Sequence, residues 1–501
     1  MINWLYRWQY SGLFLLLIAI LLLHFTIIMQ PVEPLFDEIH YIEDGRHIIE
    51  GDGTNRVEHP PLAKLILVGG MHLFGDNPLG WRFSPIIFGA AGIIFMYLIC
   101  RQLNLSKRVS YLATFLMAIE NLSFVQGGIA MLDVFSITLM LASFWLYLKE
   151  RYVLSGVVIG LSTLTKLSGA LTIVVIGLHW FLTVGYAEIG NLIRSLYHCL
   201  NRTRSRWHFL LQFFNFIRNT WRFALLALVA PITFIALMPF LDYVIWGEWL
   251  NPISQIDRML SDTGSIIFTP DYPEANNIAT RPWEWILPIW YGKLHWAHFV
   301  LPYWFTPRFL GMISPTIIVL IIPVVIYIIY QAIKGKIDTL FPFSWFLGTY
   351  MVWIPASLIT DRVSYLFYFY PTIGAICIGL AIGIFKLMDA AKRREGNKLR
   401  WCLVVLIPFY LLAHVYAFIN IGPFSIGQAN PPYIAISLTA QSIWWVIPIC
   451  LLLYMFTLRY IGVIRWCGFG DSLDPAEIQA NIENTSSTPD ENQLDKPMEQ
   501  E

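Results

Sequence analysis

Residues 11–29 read SGLFLLLIAILLLHFTIIM, and this run decides the fold class. It holds no ionisable side chain except His24, and about 20 mainly apolar residues suffice to cross a bilayer. The run has a charged start but no small-residue cleavage site, because Gln30-Pro31-Val32-Glu33-Pro34 follows it. It reads as a retained first transmembrane helix and not as a removable signal. Working outward, comparable runs lie near 80–100, 109–125, 131–148, 153–170, 170–185, 222–245, 309–331, 342–360, 364–388, 400–420 and 437–459. The reading is an all-α polytopic membrane protein with about twelve spans, eleven and thirteen being the bounds.

Composition agrees. Apolar residues make up 57% of the 501 and charged residues 13%, about half the usual charged share. Such a chain cannot cover a water-facing surface with polar groups, which excludes a string of soluble domains. The six cysteines (Cys100, Cys199, Cys377, Cys402, Cys450 and Cys467) have no CxxC pair or metal-ligand spacing and read as unpaired thiols. No nucleotide-binding loop, fixed-period repeat or nucleic-acid signature is present, and no metal or cofactor is expected.

Loop charge orients the spans. With the N-terminus inside, the inner connections carry Arg101, Lys107 and Arg108, then Lys149 and Arg151, then six arginines between 186 and 222 against the single acid Glu188. Lys334, Lys336 and the basic stretch 392–400 continue the pattern. The outer connections hold the acidic stretch 33–58 and the Trp/Pro-rich stretch 246–308. Both termini are therefore expected in the cytoplasm. Residues 34–50 and 62–74 read as helices on the outer surface, and the tryptophans of 246–308 as an interfacial belt. The tail 470–501 has nine acids and one lysine, leaving 32 bases against 24 acids in residues 1–469. It reads as disordered and solvated, and the transmembrane unit as 1–469.

Charge inside a membrane costs about 2.5–3.5 kcal/mol per residue at a helix centre, so the ionisable residues that occur are informative. Asp37, Glu38, Arg82, Glu120 with Asn121, Asp133, Lys166 and Asp361-Arg362 all fall at one end of their spans. His59 and Lys64 bracket Pro60-Pro61 between the two surface helices. In this topology all collect at the outer face, as a site for an anionic headgroup would require. Asp37 and Glu38 point in different directions on a helix. One can serve as a general base while the other orients a cation, or both can complement the helix dipole. Arg82, Lys64 and Arg362 suit phosphate, and equally suit snorkelling to the headgroup layer. His59 has no second histidine at ligand spacing and reads as a hydrogen-bonding residue.

Phe36-Asp37-Glu38-Ile39-His40-Tyr41, then His59-Pro60-Pro61-Leu62-Ala63-Lys64, then Trp81-Arg82, closely resemble the opening of the protein O-mannosyltransferases, GT-C enzymes that use lipid-phosphate sugars. Glu120-Asn121, Met131-Leu132-Asp133, Thr165-Lys166-Leu167-Ser168-Gly169 and the stretch 362–371 are also similar. The resemblance runs over about 30–390. It implies transfer of mannose, with inversion, from a polyprenyl-phosphate-mannose donor to Ser or Thr of a secreted or membrane protein on the non-cytoplasmic side. Asp37 would be the base and Glu38 would position the acceptor or pair with a cation. Lys64, Arg82 and Arg362 would hold the donor phosphate, with His59, Glu120, Asn121, Asp133 and Lys166 supporting the pocket. The stretch 246–308 is too short for the soluble domain of eukaryotic members, so the compact prokaryotic type, in the plasma membrane, is the nearer likeness. An aminoarabinose-transferase-like activity on a glycolipid is the alternative, but that branch has lysine before the Pro-Pro pair and tyrosine after it. A secondary transporter would show inverted repeats and mid-membrane polar groups, and a scaffold would not explain the outer cluster.

Overall fold

The computed structural model of the protein describes residues 10–203, 205–268, 279–286, 289–290, 293–294, 300–303, 309–393 and 398–421. The expected span at 437–459 and the acidic tail lie outside these. Seven described helices are long and apolar enough to cross a membrane: Pro78–Gln102, Leu167–Leu200, Arg206–Trp246, Pro315–Ile333, Ile337–Thr360, Leu366–Lys392 and Cys402–Ile419. Shorter apolar helices occupy Ser11–Ile27, Pro61–Phe74, Leu132–Leu148 and Tyr152–Thr165. The protein is an integral, multi-pass membrane protein.

We number the helices α1 (Ser11–Ile27), α2 (Glu38–Glu50), α3 (Pro61–Phe74), α4 (Pro78–Gln102), α5 (Lys107–Ala118), α6 (Asn121–Gln126), α7 (Leu132–Leu148) and α8 (Tyr152–Thr165). Then follow α9 (Leu167–Leu200), α10 (Arg206–Trp246), α11 (Pro252–Ser265), α12 (Pro315–Ile333), α13 (Ile337–Thr360), α14 (Ile373–Arg393) and α15 (Lys398–Ile421). Two short antiparallel ribbons, 289–290 with 293–294 and 300–303 with 309–312, lie between α11 and α12.

Local chemistry sets the boundaries. Asn77 caps α4, its Oδ1 accepting from the Leu79 and Gly80 amides, and Pro78 follows at the first helical position. Gly51, at φ 86, ends α2 in the left-handed conformation that glycine adopts without strain. Glu120 caps α6 through the Ser123 amide, which breaks the expected span 109–125 in two.

The α7–α8 hairpin is closed by hydroxyl pairs, Ser143 with Ser155 at 2.9 Å and Ser136 with Ser162 at 3.2 Å. The opposite face of α8 carries Gly156 and Gly160, where a methyl group would meet Leu226 O at 2.9 Å and Thr233 Cβ at 2.6 Å on α10. Small residues four apart allow backbones to approach this closely in a membrane.

Two expectations are corrected. The arginine-rich segment 186–222 is not an open loop: α9 and α10 run through it as helices of 34 and 41 residues, joined by a turn near 201–205. At 1.5 Å per residue they extend about 51 and 61 Å, well beyond one bilayer core. Arginine is a good helix former, so its clusters mark a membrane boundary without ending a helix. Within 246–308, Trp285 is fully buried and donates to Thr280 Oγ1 at 3.0 Å. It is a core residue, unlike Trp249, which is 62% exposed.

Candidate active site

The loop after α1 turns into α2 through Phe36, whose φ of 51 is unusual for a bulky residue. Glu38 then folds its carboxylate back to accept from the Leu35 amide at 2.8 Å. The same carboxylate receives the Arg82 fork, Nε at 3.0 Å and Nη2 at 2.9 Å, and the Ala130 amide at 2.7 Å. Arg82 gives its other donors to the carbonyls of Ile28, Pro31 and Glu33. Both side chains are sealed from solvent. Lys64 is as deeply buried, paired with Asp44 at 2.9 Å and donating to Thr54 Oγ1 at 2.7 Å and to the Arg56 carbonyl. Asp44 accepts in turn from the Asn55 and Arg56 amides. These pairs fold the first loop over α2, α3 and α4. The structure thus places Arg82, Lys64 and Glu38 in the loop framework, away from the open space beside it.

That space is a cavity of about 240 Å³ lined by Glu58, His59, Asp133, Lys166, Ser168, Trp353, Arg362 and Tyr368, among others. Asp133 opens α7 and Lys166 follows the last residue of α8, so the hairpin brings them together. Lys166 Nζ lies 2.8 Å from both Asp133 oxygens and over the rings of Phe367 and Tyr368, at 5.1 and 5.3 Å. Its ammonium has a third N–H beyond these two bonds.

Arg362 is delivered from the opposite wall. Residues 361–365 pair with 266–268 and 279–280: Phe268 N donates to Asp361 O at 3.0 Å, Val363 N to Ile266 O at 3.1 Å, and Thr280 N to Ser364 O at 2.8 Å. Arg281 pins Asp361 at 2.6 Å, where the backbone takes a φ of 51. Among the described residues, the buried Arg362 Nε has no hydrogen-bond partner.

Asp37 sits beside this cluster. Burial raises its carboxyl from the ordinary 3.8 to about 6; Lys166 and Arg56 pull it down, while Asp133 and Glu58 push it up. Its side chain makes no capping hydrogen bond to α2. His59 meets the Tyr41 hydroxyl at 3.2 Å. Burial, reinforced by Lys166, Lys64, Arg362 and Arg56, lowers its pKa far enough to keep the imidazole neutral.

Glu120 and Asn121 face elsewhere. Glu120 accepts from Ser314 N at 2.8 Å and Asn121 from Met312 N at 3.0 Å, which fastens the start of α12. Sequence reasoning did not single out Glu58, which closes the acidic stretch 33–58, or Trp353, which lies inside an apolar span. His47, Glu50 and Asp52 bring three ligand atoms within 4.8 Å of one another at the exposed end of α2, and none of the three lines the cavity.

The arrangement offers an acid-held lysine and an arginine with an unused donor around one opening, and behind them a carboxylate of raised basicity that feels Lys166 and Asp133. It can take a proton from a hydroxyl and neutralise a phosphate.

Residues 75–237 match the family described as dolichyl-phosphate-mannose-protein mannosyltransferase. A protein named polyprenol-phosphate-mannose–protein mannosyltransferase from Mycolicibacterium smegmatis is 34% identical over 124 residues, 24% of each chain. A protein of the same name from Corynebacterium glutamicum is 31% identical over 130 residues, 24% of this chain and 25% of that one. The chain thus spans about a quarter of the length of the curated relatives it matches. The donor-bound Pmt1-Pmt2 O-mannosyltransferase complex of S. cerevisiae superposes with a TM-score of 0.55 at 12% identity, over 82% of this chain and 90% of that one. Through residues 75–237 the chain is related to the dolichyl-phosphate-mannose–protein mannosyltransferases, and its described helices have the GT-C fold.

Proposed function

We propose that the protein transfers mannose from a polyprenyl-phosphate-mannose donor to Ser or Thr hydroxyls of proteins, on the non-cytoplasmic side of the membrane. The observation that carries this reading is the Arg362 Nε, unpartnered among the described residues, in one cavity with the Asp133–Lys166 pair that Asp37 feels.

The acceptor oxygen attacks the anomeric carbon from the side opposite the phosphate, giving inversion. Its proton passes to Asp37, while the C1–O bond breaks and its electron pair stays on the phosphate oxygen. The donor phosphodiester carries one negative charge, and the departing phosphomonoester gains another. Arg362 and the third N–H of Lys166 are placed to receive that growing charge, where a fixed cation contributes most. Asp133 holds the Lys166 ammonium in place through both carboxylate oxygens. His59, neutral and tied to Tyr41, offers a ring nitrogen to a sugar hydroxyl.

The outward-facing site rests on charge asymmetry. Asp133 and Lys166 lie at one end of the α7–α8 hairpin, and Lys149 and Arg151 at its other end. Positive residues favour the cytoplasmic side.

The test uses membranes, a labelled polyprenyl-phosphate-mannose and a Ser/Thr peptide. Transfer to the peptide with an inverted anomer is expected, and Asp37→Asn should lower it about 10²–10⁴-fold. Undiminished transfer by Asp37→Asn removes Asp37 as base. A preference for aminoarabinose on a glycolipid acceptor overturns the substrate.

A further inference from the structure

The α7–α8 hairpin has a second cavity at the end remote from Asp133 and Lys166. It measures about 600 Å³ and is lined by Tyr147, Tyr152, Trp180, Trp221, Arg218 and Arg222, with Thr183, Asn219 and Phe223. Tyr147 lies in the last turn of α7 and Tyr152 opens α8. Asp133 stands at the start of α7, whose 17 residues rise about 25 Å. The two cavities are thus separated by nearly the thickness of a bilayer core.

Its walls combine cations with flat aromatic surfaces. Trp180 stacks on Phe223 at 4.4 Å and 8°. Arg222 lies 6.0 Å over Tyr152 and 5.9 Å over Trp221, and reaches Glu150 at 2.9 Å. Both members of that pair are more than half exposed, and the guanidinium keeps further donors. Arg218 enters no ion pair among the described residues. Asn219 donates to Glu188 at 2.9 Å. Lys149 and Arg151 flank Glu150 in the turn between α7 and α8, so this end of the molecule carries more cations than acids. Beyond Trp221 on the same face of α10, at seven, eleven and fourteen residues, Leu228, Ile232 and Ile235 are exposed.

Tryptophan and tyrosine settle at headgroup level, and basic pockets between spanning helices hold anionic headgroups. We propose that this cavity binds the phosphate of an anionic phospholipid through Arg218 and Arg222, at the membrane face opposite the candidate active site. The acyl chains then cover the Leu228–Ile232–Ile235 stripe. A soluble phosphate would use the same arginines, and competition by inorganic phosphate distinguishes the two. The proposal stands independently of the sugar-transfer reading.

The experiment is native mass spectrometry of the purified full chain with phosphatidylglycerol, with phosphatidylcholine of matched chains, and with inorganic phosphate as competitor. Phosphatidylglycerol should survive activation that strips phosphatidylcholine. Arg218→Gln with Arg222→Gln should lower its occupancy roughly tenfold or more. Arg194→Gln with Arg202→Gln, which removes equal charge from the hairpin outside the cavity, should leave it unchanged. Arg218→Lys with Arg222→Lys should largely restore it, separating lost charge from lost fold. Unchanged occupancy in the Gln pair, an equal loss in the Arg194/Arg202 pair, or displacement by millimolar phosphate would each overturn the proposal.

Discussion

Arg82 and Glu38 meet fork to fork, Nε to Oε1 at 3.0 Å and Nη2 to Oε2 at 2.9 Å, sealed from solvent between the first loop and α4. Breaking a buried, fully hydrogen-bonded pair leaves an uncompensated charge and costs about 3–5 kcal/mol. Arg82→Gln and Glu38→Gln should each lower the thermal midpoint in detergent markedly. The double variant should be less destabilised than the sum of the two. Strict additivity would show that the pair is not coupled as drawn.

Arg362 should behave in the opposite way. Its Nε has no partner among the described residues, so the folded state loses little when it is removed. Arg362→Gln is expected to keep the thermal midpoint within a degree or two and to lower kcat/KM about 10²–10³-fold, the usual effect of deleting one donor to developing charge. Arg362→Lys should recover only part of this, because lysine lacks the planar fork. A stability loss comparable with that of Arg82→Gln would assign Arg362 to the framework.

The contrast between Arg82 and Arg362 was only partly legible in the sequence. The resemblance over residues 36–82 pointed to the loop that brings His59 to the cavity, and the aromatic crowding of 362–371 pointed to the segment that brings Arg362 and Tyr368 there. Sequence order does not show which cation meets which acid. Asp44, in an ordinary amphipathic helix, takes Lys64, and Glu38 takes Arg82, so two residues expected to hold phosphate are occupied in building the loop. Lys166 and Arg362, nearly two hundred residues apart, face one cavity only because α8 ends where the 361–368 segment returns. The spans themselves were legible because hydropathy is local. The long α9–α10 hairpin was not, because charge stops an apolar run without stopping a helix.

Asp37 gives the transfer a pH dependence. With its carboxyl raised to about 6, kcat/KM should climb about tenfold per unit up to that pH and then level off. Stability moves in the other direction. A raised carboxyl contributes fully below its unfolded value of 3.8, and the contribution is lost as pH rises through about 6. Asp37→Asn should therefore be more stable than wild type at pH 8, by about 1–3 kcal/mol, and no more stable at pH 4. Equal midpoints at both pH values would mean that burial does not act on Asp37.

The glycines of α8 connect packing to the site. A side chain at Gly160 would place its Cβ 2.6 Å from Thr233 Cβ and 2.8 Å from the Ala230 carbonyl. The backbone carbonyl cannot rotate away, so α8 and α10 must separate. Overpacking of this kind costs about 1–3 kcal/mol. Lys166 stands six residues further on, at the C-terminal cap of α8, so the displacement carries its ammonium away from Asp133. Gly160→Val should therefore lower the thermal midpoint and kcat together. Gly190→Ala, where nothing lies within 4 Å of the added methyl group, should change neither. Retention of full activity by Gly160→Val at a reduced midpoint would show that Lys166 is positioned by the Asp133 pair and not by the seating of α8 on α10.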